Sequence, residues 1–269
     1  MLPLKDNLPT DRFPVLTVLL IVINIAVFAW QTQFPVDEQL ERLGFASVDA
    51  SAVEYGAVPF RLTHPDDTEC ELAGRRAAIV CGEAQIAAEG DTPIEQAPWW
   101  VTVFTSMFMH GGILHLAGNM LFLWIFGNNI EDSLGKPRFL LFYLLAGIAA
   151  VYAQSLLDTS ATVPTIGASG AVAGVLGGYA LLHPRARVLS LIFIVFFVTL
   201  IEVPAAIVLG IWFLLQFLPA VGQAAIPEVA GQGGIAYFAH VGGFIFGLAM
   251  IKLFAHRRRD GPIGHPAAY

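Results

Sequence analysis

The chain has 269 residues, of which 56% are hydrophobic and only 13% charged. A soluble domain of this length carries about a quarter charged residues, so composition alone argues against a water-soluble fold. The net charge of −7 gives no support to nucleic-acid binding, which draws on a basic surface.

Taken in chain order, the apolar residues fall into six runs. Residues 14–30 (PVLTVLLIVINIAVFAW) form the first, near the lower limit of the ~20 residues that span a bilayer. Residues 113–130, 139–157 and the Gly/Ala-rich 167–182 follow. The fifth stretch, 188–218, is interrupted by Glu202 and Pro204. Its part 203–218 is expected to be the span, and 188–199 an interfacial or packed approach to it. Residues 235–254 are the last run. Lipid admits only helices and closed barrels, and these runs lack the period-two alternation of barrel strands. The expectation is an all-α polytopic membrane protein, a bundle of six transmembrane helices with a long first loop.

The positive charges orient the bundle. Lys5 and Arg12, Lys136 and Arg138, Arg185 and Arg187, and Lys252 with Arg257, Arg258 and Arg259 lie at the two ends and in the even-numbered loops, whereas 157–168 and 220–236 hold none. By the positive-inside rule both termini are cytoplasmic, and the membrane is expected to be the cell membrane. The expected division is a cytoplasmic N-terminus (1–13), a membrane domain (14–254) and a basic tail (255–269). The tail reads as a topology anchor able to meet anionic lipid. The first run could be a cleaved signal, but no small-x-small site follows it. The first loop, 34–98, carries four Arg against thirteen acidic residues, a net of −9, and is expected outside. It holds the two cysteines, Cys70 and Cys81. Bridged in an oxidising exterior, they would add about 2–3 kcal/mol of local order; otherwise they are two thiols.

Spans 2, 4 and 6 all enter from the outside, so their first residues share one depth. Span 2 opens with HGGILHLAGN, placing His110, His115 and Asn119; span 4 with GASGAVAGVLGG, placing Ser169; span 6 with AHVGGFIFG, placing His240. Polar side chains in a membrane are costly and suggest function. His115 and Asn119, at i and i+4, share a helix face. Gly170, Gly174 and Gly178 repeat along span 4, and His240, Gly243 and Gly247 line one side of span 6. Glycines so spaced let backbones approach closely, which would bring Ser169 within proton-transfer distance of His240. Gly170 is also expected to leave space for an incoming carbonyl. Asp132, Asp158 and Asp260, the only Asp beyond residue 100, lie away from this layer. A Ser-His dyad is therefore expected, without a triad acid. Asn119, His115 and the Ser169 backbone N–H would serve a developing oxyanion, with His110, Gly167, Gly170 and Gly243 in support.

GASG around Ser169, HxxxN at His115 and Asn119, and AHVGGFIFG around His240 resemble the signature of rhomboid intramembrane serine proteases of bacterial type, over residues 99–254. The N-terminal LPLKDNLPTDRFPV adds to the likeness. The resemblance implies a six-helix core with Ser169 as nucleophile and His240 as general base. It also implies oxyanion roles for His115 and Asn119, and substrates that are other proteins' transmembrane segments, cut near the outer face. Two departures stand out. The chain reads Trp99-Trp100-Val101 where many members have a Trp-Arg pair that braces the first loop. Ala173 stands where some members place a Tyr that stacks on the catalytic His, so other neighbours are expected to hold the ring, with Tyr237 or Phe238 as candidates.

Taken singly, each feature has a plainer explanation, because membrane Ser, His, Asn and spaced Gly commonly serve helix packing. Together at one depth they point to chemistry. No HExxH string supports a zinc protease, no pair of intramembrane Asp supports an aspartyl type, and no cofactor or metal is implied. Two other classes remain in view: a catalytically silent relative that holds transmembrane clients, and a solute transporter, disfavoured because the halves show no inverted repeat. For the protease, the client helix is expected to enter beside span 5, under a movable cover formed by 220–236.

Overall fold

The computed structural model describes residues 2–36, 38–74, 78–90, 92–194, 197–225 and 235–255. The basic tail and the middle of the expected cover lie outside these residues. The elements run β1 (Leu2–Asp6), α1 (Val15–Gln31), α2 (Glu38–Arg42), α3 (Ser47–Tyr55), α4 (Pro59–Thr63), β2 (Cys70–Ala73), β3 (Ala78–Cys81), α5 (Glu83–Glu89), β4 (Thr92–Pro93) and α6 (Trp99–Thr105). Helix α7 (Ile113–Phe122) continues through a π-helical turn (Leu123–Gly127) into α8 (Asn128–Leu134). Then come α9 (Lys136–Leu157), α10 (Ser169–Leu182), β5 (Arg187–Ile194), β6 (Phe197–Pro204), α11 (Ala205–Ala225) and α12 (Tyr237–Phe254). Among the described residues, four helices are long and apolar enough to cross a membrane: 113–134, 136–157, 205–225 and 237–254. Helices α1 and α10 are apolar but shorter.

Helix α10 is the axis of the bundle. Its residues from Gly170 to Tyr179 are buried without a break, which marks a helix enclosed on all sides. Small residues make this possible. A Cβ on Gly174 would strike Ala146 of α9, and one on Gly243 of α12 would strike the Gly170 carbonyl. Helices α9, α10 and α12 therefore pack almost backbone to backbone. Helix α1 is held at its start by Glu131 of α8, whose carboxylate accepts from the Leu16 and Thr17 N–H groups at 3.0 and 2.8 Å. An acidic side chain there satisfies open amides and the helix dipole together. Glu131 is thus a cap in trans for α1.

The all-α expectation requires a correction, since the described residues include two three-stranded sheets. The stretch expected to approach the fifth span is the β5–β6 hairpin, and α11 begins at Ala205 and ends at Ala225. Its β-branched and aromatic residues fit a pleated surface. Strand β1 adds to β5. Glu202 is exposed on β6 and lies 4.0 Å from Arg187 on β5. The buried Asp6 carboxylate accepts from Asn129 Nδ2 and from the Tyr179 hydroxyl, both at 2.6 Å, tying the sheet to the bundle.

Burial holds the Asp6 carboxyl above the ordinary carboxylate range. The folded chain thus binds this proton more tightly than the unfolded one. The Asp6 contribution to stability is greatest below the ordinary carboxylate pKa and declines as pH rises through the raised one. Asp6→Asn, which keeps an acceptor for both donors, is expected to remove that decline. Thermal unfolding of wild type and variant across acidic to neutral pH checks this, and parallel curves would refute it.

The long first loop folds as a lobe. Cys70 and Cys81 face each other across β2 and β3 and are joined as a disulfide, with Cα atoms 4.1 Å apart. Ala57 and Leu62 of the lobe pack with Val103 of α6 and Val151 of α9. The buried Arg61 guanidinium donates to the Thr68 and Ala97 carbonyls at 2.7 and 3.1 Å. The first loop is therefore braced just before Trp99 by an arginine from α4.

Candidate active site

The segment that leads into α10 is held from the lobe. Ala57 and Thr165 exchange backbone hydrogen bonds of 3.1 and 2.8 Å, and Phe60 N–H donates to the Ala161 carbonyl at 3.0 Å. Gly167 N–H then donates to Ser106 at 2.8 Å, and Gly167 adopts a φ of +132° that favours glycine. This turn delivers Ser169 as the first residue of α10. A helix of 14 residues is about 21 Å long, short of a ~30 Å hydrocarbon core. Its first residue can therefore lie inside the membrane while its last reaches the opposite face.

Across the α10–α12 contact, Ser169 Oγ lies 2.7 Å from His240 Nε2. The other ring nitrogen, Nδ1, lies 2.8 Å from Gln216 Oε1 on α11. Trp212, one helical turn before Gln216, lies 6.1 Å from the His240 ring between centroids, and Tyr237 meets the ring edge-on at 6.5 Å. Tyr237 was among the neighbours expected to hold the ring. Trp212 and Gln216 were not, although Gln216 is visible in the sequence as an isolated amide in FLLQF.

On the other side of Ser169 stand the span 2 residues. Gly111 N–H donates to His115 Nδ1 at 3.4 Å, which leaves the ring hydrogen on Nε2. The point where a Cβ on Gly167 would sit lies 3.0 Å from His115 Nε2 and 3.3 Å from Ser169 Oγ. That point also lies 2.9 Å from His115 Cε1, too close for a methyl, so the bare Gly167 lets the His115 ring lie beside Ser169. Asn119, one turn below His115, is buried with its Nδ2 unpartnered among the described residues. His110 is fully buried and packs its ring against His115 with centroids 5.1 Å apart. Its backbone N–H donates to Gln31 of α1 at 2.9 Å.

The glycines divide differently from expectation. Gly170 does not keep space for a substrate, because a Cβ there would collide with Ala150 of α9. Its bareness serves packing, as does that of Gly243, while the bareness of Gly167 makes room for the His115 ring. Behind Ser169 is a cavity of about 20 Å³, bounded by Thr165, Ile166, Gly167, Gly170 and Ala239 among others. That is room for a methyl-sized group or a water. Among the described residues, no cluster of His, Cys, Asp or Glu could hold a metal ion.

The arrangement offers a hydroxyl within proton-transfer distance of an imidazole, with the His115 ring close by on the Gly167 side of that hydroxyl. Residues 97–257 match the Rhomboid domain family model. Rhomboid protein 1, mitochondrial, of Saccharomyces cerevisiae is 32% identical over 152 residues, covering 55% of this chain and 40% of the relative. Rhomboid protease GluP of Bacillus subtilis is 42% identical over 90 residues, covering 34% and 17%. Presenilin-associated rhomboid-like protein, mitochondrial, of Homo sapiens is 29% identical over 174 residues, covering 58% and 42%. In each case the match spans less than half of the relative's own length.

Proposed function

From the premise that this chain belongs to the rhomboid family, we propose that it is an intramembrane serine protease that cuts transmembrane segments of other proteins. The observation that carries this reading is the 2.7 Å approach of Ser169 Oγ to His240 Nε2, two residues that 71 positions of sequence separate. The name of the Bacillus subtilis relative, a rhomboid protease, supports the same class.

In this reading six helices cross the bilayer: α1, α7 continued by α8, α9, α10, α11 and α12. The termini and the β1–β5–β6 sheet face the cytoplasm, and the lobe faces the exterior. The distribution of Lys and Arg supports this orientation, and the Cys70–Cys81 disulfide fits an oxidising outer side. The membrane is the cell membrane, and residues 14–254 form one membrane domain with the lobe as its insertion.

His240 takes the proton of Ser169 as the oxygen attacks the scissile carbonyl. The resulting oxyanion accepts from His115 Nε2–H and Asn119 Nδ2–H. The protonated His240 returns its proton to the leaving amine, and water then releases the acyl-enzyme by the same route. The small cavity behind Ser169 favours a small substrate side chain. The client enters beside α11, which buries few of its residues against the rest of the protein. No cofactor takes part.

The direct test is cleavage of a transmembrane model substrate by the purified chain in liposomes, with the products mapped by mass. One cut toward the outer end of the segment is expected, together with labelling of Ser169 by a serine-directed phosphonate. An uncut substrate and an unlabelled serine would instead favour a membrane protein that binds clients without cutting them. Asn119→Ala is expected to lower kcat by about 10²–10³-fold, the usual effect of losing one oxyanion donor, with little change in KM. An equal rise in KM at constant kcat would place Asn119 in substrate binding.

A further inference from the structure

We infer that Gln216 is a positioning residue that fixes the tautomer of His240, doing as a neutral group what a carboxylate does in a three-membered serine site. The inference rests on the protease reading above. For Ser169 to give up its proton, His240 Nε2 must be bare, so the ring hydrogen must sit on Nδ1. The group that meets Nδ1 decides whether it does. Here that group is the Gln216 carbonyl oxygen at 2.8 Å, which accepts and so keeps the hydrogen on Nδ1. An amide in the apolar FLLQF segment is costly without a partner, and the imidazole is its partner.

Geometry makes the arrangement more than a chance contact. Trp212 and Gln216, at i and i+4, lie on one face of α11, and both flank the His240 ring. Ala173, where an aromatic ring could have stacked, is fully buried, and its methyl lies against Gly243. The brace on the imidazole thus comes from α11, across the bundle from α10. Helix α11 is also the helix beside which a client would enter. If α11 moves outward, Gln216 leaves Nδ1 and the ring loses its fixed tautomer. The base is therefore fully competent only with α11 docked.

The test uses the full chain in liposomes with Gln216→Leu and Gln216→Glu. Leucine is expected to lower kcat by about 10–100-fold, within the range of a general-base effect, with KM nearly unchanged. Glutamate keeps an acceptor at Nδ1, so it is expected to retain turnover. Its charge holds a proton on the ring to higher pH, so the acidic limb of the kcat profile moves up by about one pH unit or more. A merely structural role would lower thermal stability in both variants and leave that limb in place. Imidazole ¹⁵N spectra read the tautomer without turnover: Nδ1-protonated His240 in wild type, a mixture in Gln216→Leu. Unchanged kcat in the leucine variant, an unmoved limb in the glutamate variant, or a wild-type ring protonated on Nε2 would each overturn the inference. Wild type that shows the Nδ1 tautomer yet cuts nothing would overturn the protease reading and leave the role of Gln216 standing.

Discussion

Ser169→Ala is expected to remove cleavage by at least about 10⁴-fold, and His240→Ala by a similar factor. The double variant should be no worse than either single one. The two side chains act as a unit, because the hydroxyl is nucleophilic only while the proton path to Nε2, 2.7 Å long, is open. Removing either end closes it. Ser169→Ala deletes one oxygen at the start of α10, so the fold should survive, and unfolding temperatures of wild type and variant should agree closely. Cleavage assayed in liposomes at matched folding decides the matter. Equal cleavage by wild type and both variants would remove the dyad. Unchanged client binding by wild type and variants, with no cleavage by any, would assign the chain to client holding.

Gly247→Val is expected to be the most damaging single substitution outside the dyad. A Cβ at Gly247 would overlap the backbone of Gly174, carbonyl included, and Gly243 and Gly170 are related in the same way one turn earlier. A clash with a flexible side chain can be relieved by rotation, but a clash with a carbonyl requires the helices to separate. Overpacking typically costs about 1–3 kcal/mol, and with a helix backbone as the obstacle the upper end or beyond is expected. Separation of α10 from α12 would also part Ser169 from His240, so activity should fall together with stability. Gly210→Val on α11 is the control, since a Cβ there meets nothing within 4 Å. Thermal unfolding and labelling of Ser169 measure both effects. A Gly247→Val chain as stable and as readily labelled as wild type would refute the close crossing.

These two predictions bear differently on what was legible beforehand. The pairing of Ser169 with His240 was readable, because the expected topology puts the starts of spans 4 and 6 at one depth and spaced glycines permit a close crossing. The His115–Asn119 face was readable from helical periodicity. The glycine roles were not. GASG presents two glycines beside Ser169, and nothing in the string says that Gly170 faces Ala150 while Gly167 faces His115. Gln216 was equally hidden. It sits 24 positions from His240, and only the packing of α11 on α12 brings its amide to Nδ1.

The same division holds for the fold. Composition, the length of the apolar runs and the placement of Lys and Arg determined that this is a helical membrane protein, because lipid penalises every exposed backbone amide and every misplaced charge, and those costs are written residue by residue. Sequence also carried the family, through motifs whose spacing is local. Only tertiary structure decided that Arg187–Ile194 pairs as a strand with Phe197–Pro204 and with the N-terminal strand, since an apolar run of that length suits a strand as well as a helix. It decided, too, that the acidic loop is a folded lobe gripping the segment before Ser169. Those outcomes rest on contacts between residues far apart in the chain, where partner and register are set by what else is packed nearby.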